Sequence, residues 1–175
     1  MVKDSFNQFI QETWDGRVID PSYVRFRGMK SIVINVASEC GYTDQNYKDI
    51  FEFATLMKDK VSIYLYPSND FGSQEPGSED EIAKFCDKYG VLDLYPTVKL
   101  MNKVSVKDPN NELYQWLQYE NFLAQDGVDC EVKWNFHKYL INTDGSMWGF
   151  MYSEESLMDE GVIEWCNNME IIQDY

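Results

Sequence analysis

Basic residues and histidine are scarce in this 175-residue chain. Fifteen lysines and arginines stand against 30 aspartates and glutamates, which gives a formal net charge of −15. A charge of this sign repels the phosphates of nucleic acids and the surfaces of anionic membranes, so we expect neither as a partner. Neutral substrates and basic proteins are easier for such a surface to accept.

The small number of cysteines and the single histidine also disfavour metal sites and disulfide frameworks. The four cysteines form no CxxC pair and no Cys/His cluster at zinc spacing, and they are too few for a disulfide-stapled secreted scaffold. The single histidine, His137, is a narrow basis for a Ser–His–Asp or Cys–His site. We therefore expect no metal and no bound cofactor.

No apolar run has the length of a membrane span, and the first eleven residues lack the apolar centre of a signal peptide. We expect a cytoplasmic protein, and a cleaved signal absent from this sequence would leave secretion open. The chain has no repeat, low-complexity tract or linker, and 44% of its residues are hydrophobic. We expect residues 1–175 to form a single domain with one core.

The most informative stretch is the apolar run over residues 32–37, which ends in Ser38, Glu39, Cys40 and Gly41. It has too few polar breaks for a half-exposed strand, which predicts a strand buried on both faces, as in a parallel sheet covered by helices. Open α/β sheets place their chemistry at the carboxyl ends of such strands, and a helix that follows favours an ionised thiol. Cys40 is therefore a candidate nucleophile, and a small buried hydrophobe is the alternative.

Helical and strand patterns alternate after this run. Apolar spacing by three and four predicts a helix over 43–58, whose inward face would be Tyr47, Ile50, Phe51, Ala54 and Met57. A strand is predicted over 61–66. Because a helix connects it to the first strand, the two strands should be parallel with a right-handed crossover. A loop over 67–78 then leads into an S-x-x-E capping box at Ser78 and a helix that Gly90 can end. The inward face of that helix would be Ile82, Phe85, Cys86 and Tyr89.

The second half of the chain predicts a third strand over 95–104 and a short helix over 110–118. Leu113, Trp116 and Leu117 would face inward from that helix, and an irregular acidic connection would cover 119–131. Asp144-Gly145 between two apolar runs predicts a hairpin over 134–152, and a final helix over about 154–172 follows. A turn at Asp15-Gly16 predicts a short hairpin or arm within residues 1–30. This order predicts an α/β, thioredoxin-like fold, with a mixed central sheet and helices on both faces.

Three segments should meet at one sheet edge in this topology. Cys40 would then lie among the amides of Gln74 and Asn135 and the indole N–H of Trp134, three neutral hydrogen-bond donors. Such donors stabilise a thiolate and the charge that develops on a departing oxygen. A cysteine placed in this way suits attack on an O–O bond with passage through a sulfenic acid. The structural alternatives are a loop-bonding amide for Gln74 and a core indole for Trp134.

These segments resemble the motifs of the glutathione peroxidase family. NVASECGYT (35–43) is similar to its nucleophile motif, YPSNDFGSQEPGS (66–78) to its FPCNQFGGQEPGS loop, and VKWNFHKYLINTDGS (132–146) to its KWNFxKFLVxxDG segment. The motifs occur in the family's order and at its approximate spacing, and the similarity extends from about residue 4 to 152. The resemblance implies a catalytic tetrad of Cys40, Gln74, Trp134 and Asn135. Cys40 would be the peroxidatic thiol, where many animal members have selenocysteine.

The resemblance also implies a second reactive cysteine. Cys86 falls where members that use thioredoxin carry a resolving cysteine, which would form a Cys40–Cys86 disulfide. Because periodicity puts Cys86 on a buried helix face, a packed core thiol is the alternative, and disulfide formation would require that helix to loosen. The short connection between Cys86 and Trp134 resembles the monomeric, phospholipid-hydroperoxide type. We expect a monomer that reduces hydrogen peroxide and organic or lipid hydroperoxides.

The reductant implied by the resemblance is thioredoxin or a similar dithiol protein. Glutathione is the alternative, and it is disfavoured because the arginines that anchor its carboxylates in tetrameric members have no clear counterparts here. A redox relay that oxidises a partner protein shares every motif and stays open. A non-catalytic binding protein on the same scaffold is a third possibility, which the intact tetrad argues against.

Several residues depart from the family pattern. Glu39 precedes Cys40, and a carboxylate there would raise the thiol pKa and slow the reaction unless it points to solvent. Ser68 stands where many members have a third cysteine, and Asp70 replaces a usual glutamine. We expect His137 to face solvent without a catalytic role. Two remaining cysteines are expected to be structural: Cys130 and Cys166.

Overall fold

The structure is a computed structural model that describes residues 2–168. A five-stranded sheet has the order β5-β4-β3-β6-β7, in which β3, β4 and β5 are parallel and β6 and β7 run antiparallel to their neighbours. A separate two-stranded ladder joins β1 and β2. The strands are β1 (Gln11–Glu12), β2 (Val18–Ile19), β3 (Lys30–Val36), β4 (Val61–Pro67), β5 (Val98–Leu100), β6 (Lys138–Ile141) and β7 (Met147–Met151).

Four α-helices cover the sheet: α1 (Thr43–Leu56), α2 (Glu79–Lys88), α3 (Glu112–Ala124) and α4 (Glu160–Asn167). One core cluster packs α1, α2 and α4 against one face of the sheet, and a second packs α3 and the N-terminal segment against the other. The mixed sheet with helices on both faces confirms the predicted α/β architecture. Among residues 2–168, no helix is long and apolar enough to cross a membrane.

Strand β3 confirms the expected burial on both faces, and β4 lies parallel to it as predicted. Every residue of β3 and β4 is buried, and the two strands pair in parallel from Lys30 opposite Val61 to Val36 opposite Pro67. Alternate side chains of a strand point to opposite faces, so Ile32 and Ile34 enter one core while Val33 enters the other. This double burial fixes the carboxyl end of β3 within the fold.

Helix α1 differs from the prediction at one residue. Phe51, expected on the inward face, is 40% exposed, whereas Phe53 is fully buried. The buried stripe runs Ile50, Phe53, Ala54 and Met57, and Phe51 lies about 100° away from Ile50 on the helix. The Phe51 ring instead packs over Gly90, which has a positive φ of 74° just beyond α2.

The start of α2 follows the predicted capping box. The Ser78 side chain accepts a hydrogen bond from the Glu81 N–H, and the Glu81 carboxylate accepts one from the Ser78 N–H. Three acidic residues in the first turn complement the positive end of the helix dipole. Ile82, Ala83 and Cys86 form the buried stripe, and Phe85 and Tyr89 are half-buried at its edge.

Several element boundaries differ from the prediction. The third strand covers only Val98–Leu100, because Met101 already pairs with Thr13 in the N-terminal segment. Helix α3 continues to Ala124, because its buried stripe runs on from Leu117 to Asn121, so residues 119–124 are helical. Helix α4 begins at Glu160, where Asp159 caps it, rather than near 154. The predicted part of that helix that contains Met169 and Ile172 lies outside the described residues.

Both predicted hairpins are present. Strands β1 and β2 flank the Asp15-Gly16 turn, and β6 and β7 flank the turn at Asp144-Gly145. Strand β6 starts at Lys138, later than predicted, because residues 134–136 form a turn in which Phe136 has a φ of 62°.

The expectation that His137 faces solvent was wrong. The side chain is only 4% exposed, and the edges of the Phe150 and Tyr152 rings meet it from β7 and from the residue that follows. The Lys133 N–H donates to His137 Nδ1 over 3.4 Å. The pKa of His137 is lowered to about 4, mainly by burial and in part by the neighbouring Lys138. The strand pattern indicated which face His137 occupies but not that aromatic rings cover this face.

Candidate active site

Cys40 lies in the turn between β3 and α1, at the carboxyl end of the central strand. It is 9% exposed, and its N–H donates to Thr43 Oγ1 over 3.0 Å. The Thr43 hydroxyl in turn donates to the Ala37 carbonyl over 2.8 Å, which fixes the turn at both ends. The Tyr42 N–H approaches Cys40 Sγ at 3.5 Å. The sulfur therefore meets a backbone hydrogen-bond donor at the start of α1.

The loop after β4 lies directly against this turn. The Ser68 N–H donates to the Val36 carbonyl, and the Glu39 N–H donates to the Gln74 carbonyl over 3.0 Å. These backbone contacts bring Gln74, which is half-buried, to the edge where β3 ends. The expected meeting of this loop with the Cys40 turn is thus observed.

The third segment reaches the same edge through Asn135. Its Nδ2 donates to Gln74 Oε1 over 2.9 Å and to the Phe71 carbonyl over 3.4 Å. The ring of Trp134 lies against Phe71, with the two ring centres 6.1 Å apart. The structure therefore joins Gln74, Trp134 and Asn135 beside the Cys40 turn. Among the described residues, the hydrogen bond to Cys40 Sγ comes from Tyr42 and not from these three side chains.

Asn35 positions this third segment, and the sequence reasoning missed it. Its side chain lies in β3, donates to the Trp134 carbonyl over 2.9 Å and accepts from the His137 N–H over 3.1 Å. Its own carbonyl accepts from the Phe136 N–H over 2.7 Å. An asparagine within the apolar run SIVINVA was the signal that could have identified it.

Cys86 is fully buried in α2, as its periodicity predicted. Tyr47 on α1 places its hydroxyl 3.5 Å from Cys86 Sγ. The pKa of the Cys86 thiol is raised to about 12, mainly by burial and in part by the nearby Glu75 carboxylate, while the contact with Tyr47 opposes this rise. All four cysteines, Cys40 and Cys86 included, are unpaired in the structure.

Glu75 is the second residue that the sequence reasoning missed. It is fully buried, and Oε1 accepts hydrogen bonds from the N–H and the hydroxyl of Ser38. Burial raises the pKa of Glu75 to about 7, although the Ser38 hydrogen bonds and Lys103 lower it. A carboxylate next to Gln74 in the loop motif was the available signal, and nothing in the local sequence showed that it is buried.

The departures from the family pattern have clear structural settings. Glu39 is exposed to solvent at the edge of the site. The Asp70 carboxylate accepts from the N–H groups of Val106 and Lys107, over 2.7 Å and 3.2 Å, and so secures a neighbouring loop. Ser68 is buried. The remaining two cysteines are buried away from this edge, and burial raises the pKa of both: Cys130 and Cys166.

An open groove of about 410 Å³ adjoins the site. It lies between the Cys40 turn and α2, and its lining includes Ser38, Glu39, Gly77, Ile82 and Phe85. A hydroperoxide or a protein loop could enter here. Within residues 2–168, no group of three or more Cys, His, Asp or Glu side chains is placed to hold a metal ion.

The chain matches known sequences over most of its length. The family model for glutathione peroxidase matches residues 6–118. The glutathione peroxidase-like peroxiredoxin gpx1 of Schizosaccharomyces pombe is 39% identical over 128 residues, which cover 71% of this chain and 75% of that protein. The phospholipid hydroperoxide glutathione peroxidase of Bos taurus is 34% identical over 143 residues, or 81% of this chain and 68% of that protein.

Solved structures agree with this result. The crystal structure of Trgpx in its apo form superposes with a TM-score of 0.69 at 27% identity, covering 96% of this chain and 99% of that one. A thioredoxin family protein from Chlorobium tepidum superposes with a TM-score of 0.63 at 12% identity, covering 95% and 98% of the two chains. The second likeness concerns the fold alone, and it confirms the predicted thioredoxin-like fold.

Proposed function

Because the chain belongs to the glutathione peroxidase family, and is thus a peroxidase, we propose that Cys40 is its peroxidatic thiol. The observation that carries this proposal is the position of Cys40 at the end of β3, with the Tyr42 N–H on its sulfur. The linked amides of Gln74 and Asn135 lie beside the same turn. The name peroxiredoxin, which the Schizosaccharomyces pombe relative carries, supports a cysteine-based reaction.

In the first step the Cys40 thiolate attacks one oxygen of the hydroperoxide. The O–O bond breaks, the sulfur becomes a sulfenic acid, and the departing oxygen takes a proton and leaves as water or an alcohol. Gln74, Trp134 and Asn135 offer neutral donors to the developing charge. Because these donors do not titrate near neutral pH, they assist the reaction without competing for the thiol proton.

In the second step Cys86 attacks the sulfur of the Cys40 sulfenic acid. An S–S bond forms, and the sulfenic oxygen leaves as water. Cys86 is buried within α2, and its thiol is held in the protonated form by burial. We therefore propose that α2 loosens before the two sulfurs meet, since a disulfide requires Cα atoms within about 7 Å.

We propose a thioredoxin-like dithiol protein as the reductant, hydrogen peroxide and organic or lipid hydroperoxides as substrates, and a monomer in the cytoplasm as the working form. A dithiol can reduce the Cys40–Cys86 disulfide in one exchange sequence. The net charge of −15 disfavours docking on anionic bilayers, which supports free hydroperoxides as substrates.

A peroxidase assay run with thioredoxin and with glutathione in parallel tests this proposal. Cys40→Ser should abolish peroxide reduction with both reductants. Cys86→Ser should still consume one equivalent of peroxide and then stop turning over with thioredoxin. Cys166→Ser, which replaces another buried cysteine, should behave like the wild type. Unchanged turnover of Cys86→Ser would remove Cys86 from the mechanism, and faster turnover with glutathione would reverse the choice of reductant.

A further inference from the structure

A small group of side chains joins α2 to α1 beside Cys86. Tyr89 directly follows α2, and its ring stacks on that of Tyr47 from α1, with the ring centres 5.1 Å apart and 24° between the ring planes. The Tyr89 hydroxyl donates to Asp44 Oδ1, in the first turn of α1, over 3.0 Å. The Phe85 ring meets those of Tyr47 and Tyr89, each at 5.5 Å between centres. We refer to these four residues, Asp44, Tyr47, Phe85 and Tyr89, as the α1–α2 contact.

The α1–α2 contact holds the Cys86 thiol in its buried position. Tyr47 and Cys86 are both fully buried, and the Tyr47 hydroxyl lies 3.5 Å from Cys86 Sγ. Cys86 precedes Tyr89 by three residues, which is about one helical turn, so an outward movement of Cys86 carries Tyr89 with it. The other end of α2 is held separately, because the Lys103 N–H donates to Glu79 Oε1 over 3.2 Å. Release of Cys86 therefore requires the contacts of Tyr89 to break.

We propose that Tyr89 is a positioning residue that limits the rate of the second step by holding α2 against α1. This inference rests on the role proposed above for Cys86. The disulfide requires α2 to loosen near Cys86, and the hydrogen bond from Tyr89 to Asp44 breaks each time it does. The chemistry that follows is unchanged. The Cys86 sulfur attacks the sulfenic sulfur of Cys40, an S–S bond forms, the S–O bond breaks, and the sulfenic oxygen leaves as water with the thiol proton.

The hydrogen bond from Tyr89 to Asp44 is the member of the α1–α2 contact that can be removed with least disturbance. Tyr89 is half-buried and Asp44 is exposed, so water can take the place of the missing partner. Tyr47, by contrast, lies in the core and contacts the reacting thiol, so a change there would alter the packing and the thiol together. Loss of one such hydrogen bond should raise the population of loosened α2 by about 3- to 10-fold.

Rapid kinetics of the reduced protein with one equivalent of hydrogen peroxide separate the two steps. Sulfenic acid formation is followed by tryptophan fluorescence, and disulfide formation by alkylation and mass measurement of quenched samples. Tyr89→Phe keeps the ring and removes only the hydroxyl. We expect disulfide formation in this variant to be about 3- to 10-fold faster than in the wild type, because loosened α2 is more populated. The first step should stay within about twofold.

Lys48→Met is the matched control. Lys48 Nζ lies 2.8 Å from Asp44 Oδ2, so this variant removes a different partner of Asp44 and keeps the bond from Tyr89 to Oδ1. We expect both steps to proceed at wild-type rates in this control.

Hydrogen exchange, measured by mass spectrometry on the reduced proteins, gives a second readout. Tyr89→Phe should exchange faster than the wild type in α2 and at the wild-type rate in α3, whereas a general loss of stability would accelerate exchange in both helices. Faster exchange confined to α2 supports the role of Tyr89, and equal acceleration in α2 and α3 refutes it.

Disulfide formation at the wild-type rate in Tyr89→Phe would overturn the inference. Faster disulfide formation in Lys48→Met as well would assign the effect to the Asp44 carboxylate and refute the role of the Tyr89 hydroxyl. A wild-type protein that forms no Cys40–Cys86 disulfide would refute the role of Cys86 itself. A normal disulfide that forms equally fast in Tyr89→Phe refutes the role of Tyr89 alone.

Discussion

Asn135 donates from Nδ2 to Gln74 Oε1 over 2.9 Å, and this bond joins two segments that are 61 residues apart in the chain. By occupying the oxygen of the Gln74 amide, it leaves the Nε2 hydrogens of Gln74 as the group's available donors. The contact thus orients a neutral donor at the edge where Cys40 lies. It depends on Asn35, which fixes the turn at residues 134–136 to β3.

Asn135→Asp should therefore slow the reaction of Cys40 with hydrogen peroxide. An aspartate cannot donate to Gln74, and its charge opposes a thiolate nearby. We expect the second-order rate constant to fall by about 10- to 100-fold, as for loss of a donor to developing charge. Stopped-flow fluorescence measures it. Asn110→Asp makes the same change at an exposed position and should react like the wild type. An Asn135→Asp protein with the wild-type rate constant would show that this contact does not serve the chemistry.

Gly72→Ala should displace the side chains of Gln74 and Trp134. Gly72 has a φ of 65°, and a Cβ there would lie 3.2 Å from the side chains of Gln74 and Trp134. We expect slower peroxide reduction and a loss of stability of about 1 kcal/mol. Gly16→Ala is the matched control, since Gly16 has a φ of 84° and open space around its Cβ position. It should lose similar stability and keep full activity. Equal activity of the two variants would argue against packing at Gly72 as a constraint on the site.

Glu75 should make the protein less stable as the pH rises. Its pKa is raised in the folded state to about 7 from an ordinary value of 4.5. Between these two pH values the folded protein therefore retains a proton that the unfolded chain releases. Stability contributed by this group is present at low pH and is lost as the pH rises towards 7. Between pH 5 and 8, Glu75→Gln should gain about 2 to 3 kcal/mol relative to the wild type. Urea unfolding at the two pH values measures this, with Glu52→Gln, which removes an exposed carboxylate of α1, as the control. A constant difference between the proteins would contradict it.

Burial of His137 should make the folded protein less stable in mild acid. Its pKa is lowered to about 4 in the folded state from 6.5, so the unfolded chain gains a proton that the folded protein refuses. Stability is complete above pH 6.5 and decreases as the pH falls towards 4. His137→Phe removes this dependence and keeps an aromatic ring against Phe150 and Tyr152. Between pH 7.5 and 5 the wild type should lose about 2 kcal/mol more than the variant. Urea unfolding of both proteins at the two pH values measures this. Equal losses in the free energy of unfolding would disprove the prediction.

Much of the architecture could be predicted from local sequence patterns. An apolar run predicted β3, and an alternating pattern predicted β4. Ser78 and Glu81 predicted the start of α2, and two Asp-Gly turns predicted the hairpins. The helix patterns were less accurate at their ends, as Phe51 and the length of α3 show. Periodicity indicates which residues share a face, but a boundary depends on what lies opposite that face.

The sequence alone determined the peroxidase family and the identity of the candidate thiols, because short motifs of fixed residue type carry that information. Tertiary structure decided how those motifs meet. Asn35 reaches Trp134 across 99 residues, and Ser38 reaches Glu75 across 37, so no local pattern could reveal either contact. Burial of Glu75 and His137 likewise depends on neighbours from distant segments, and that burial is what shifts their pKa values. A buried carboxyl group beside the Cys40 turn was therefore visible only once the chain was folded.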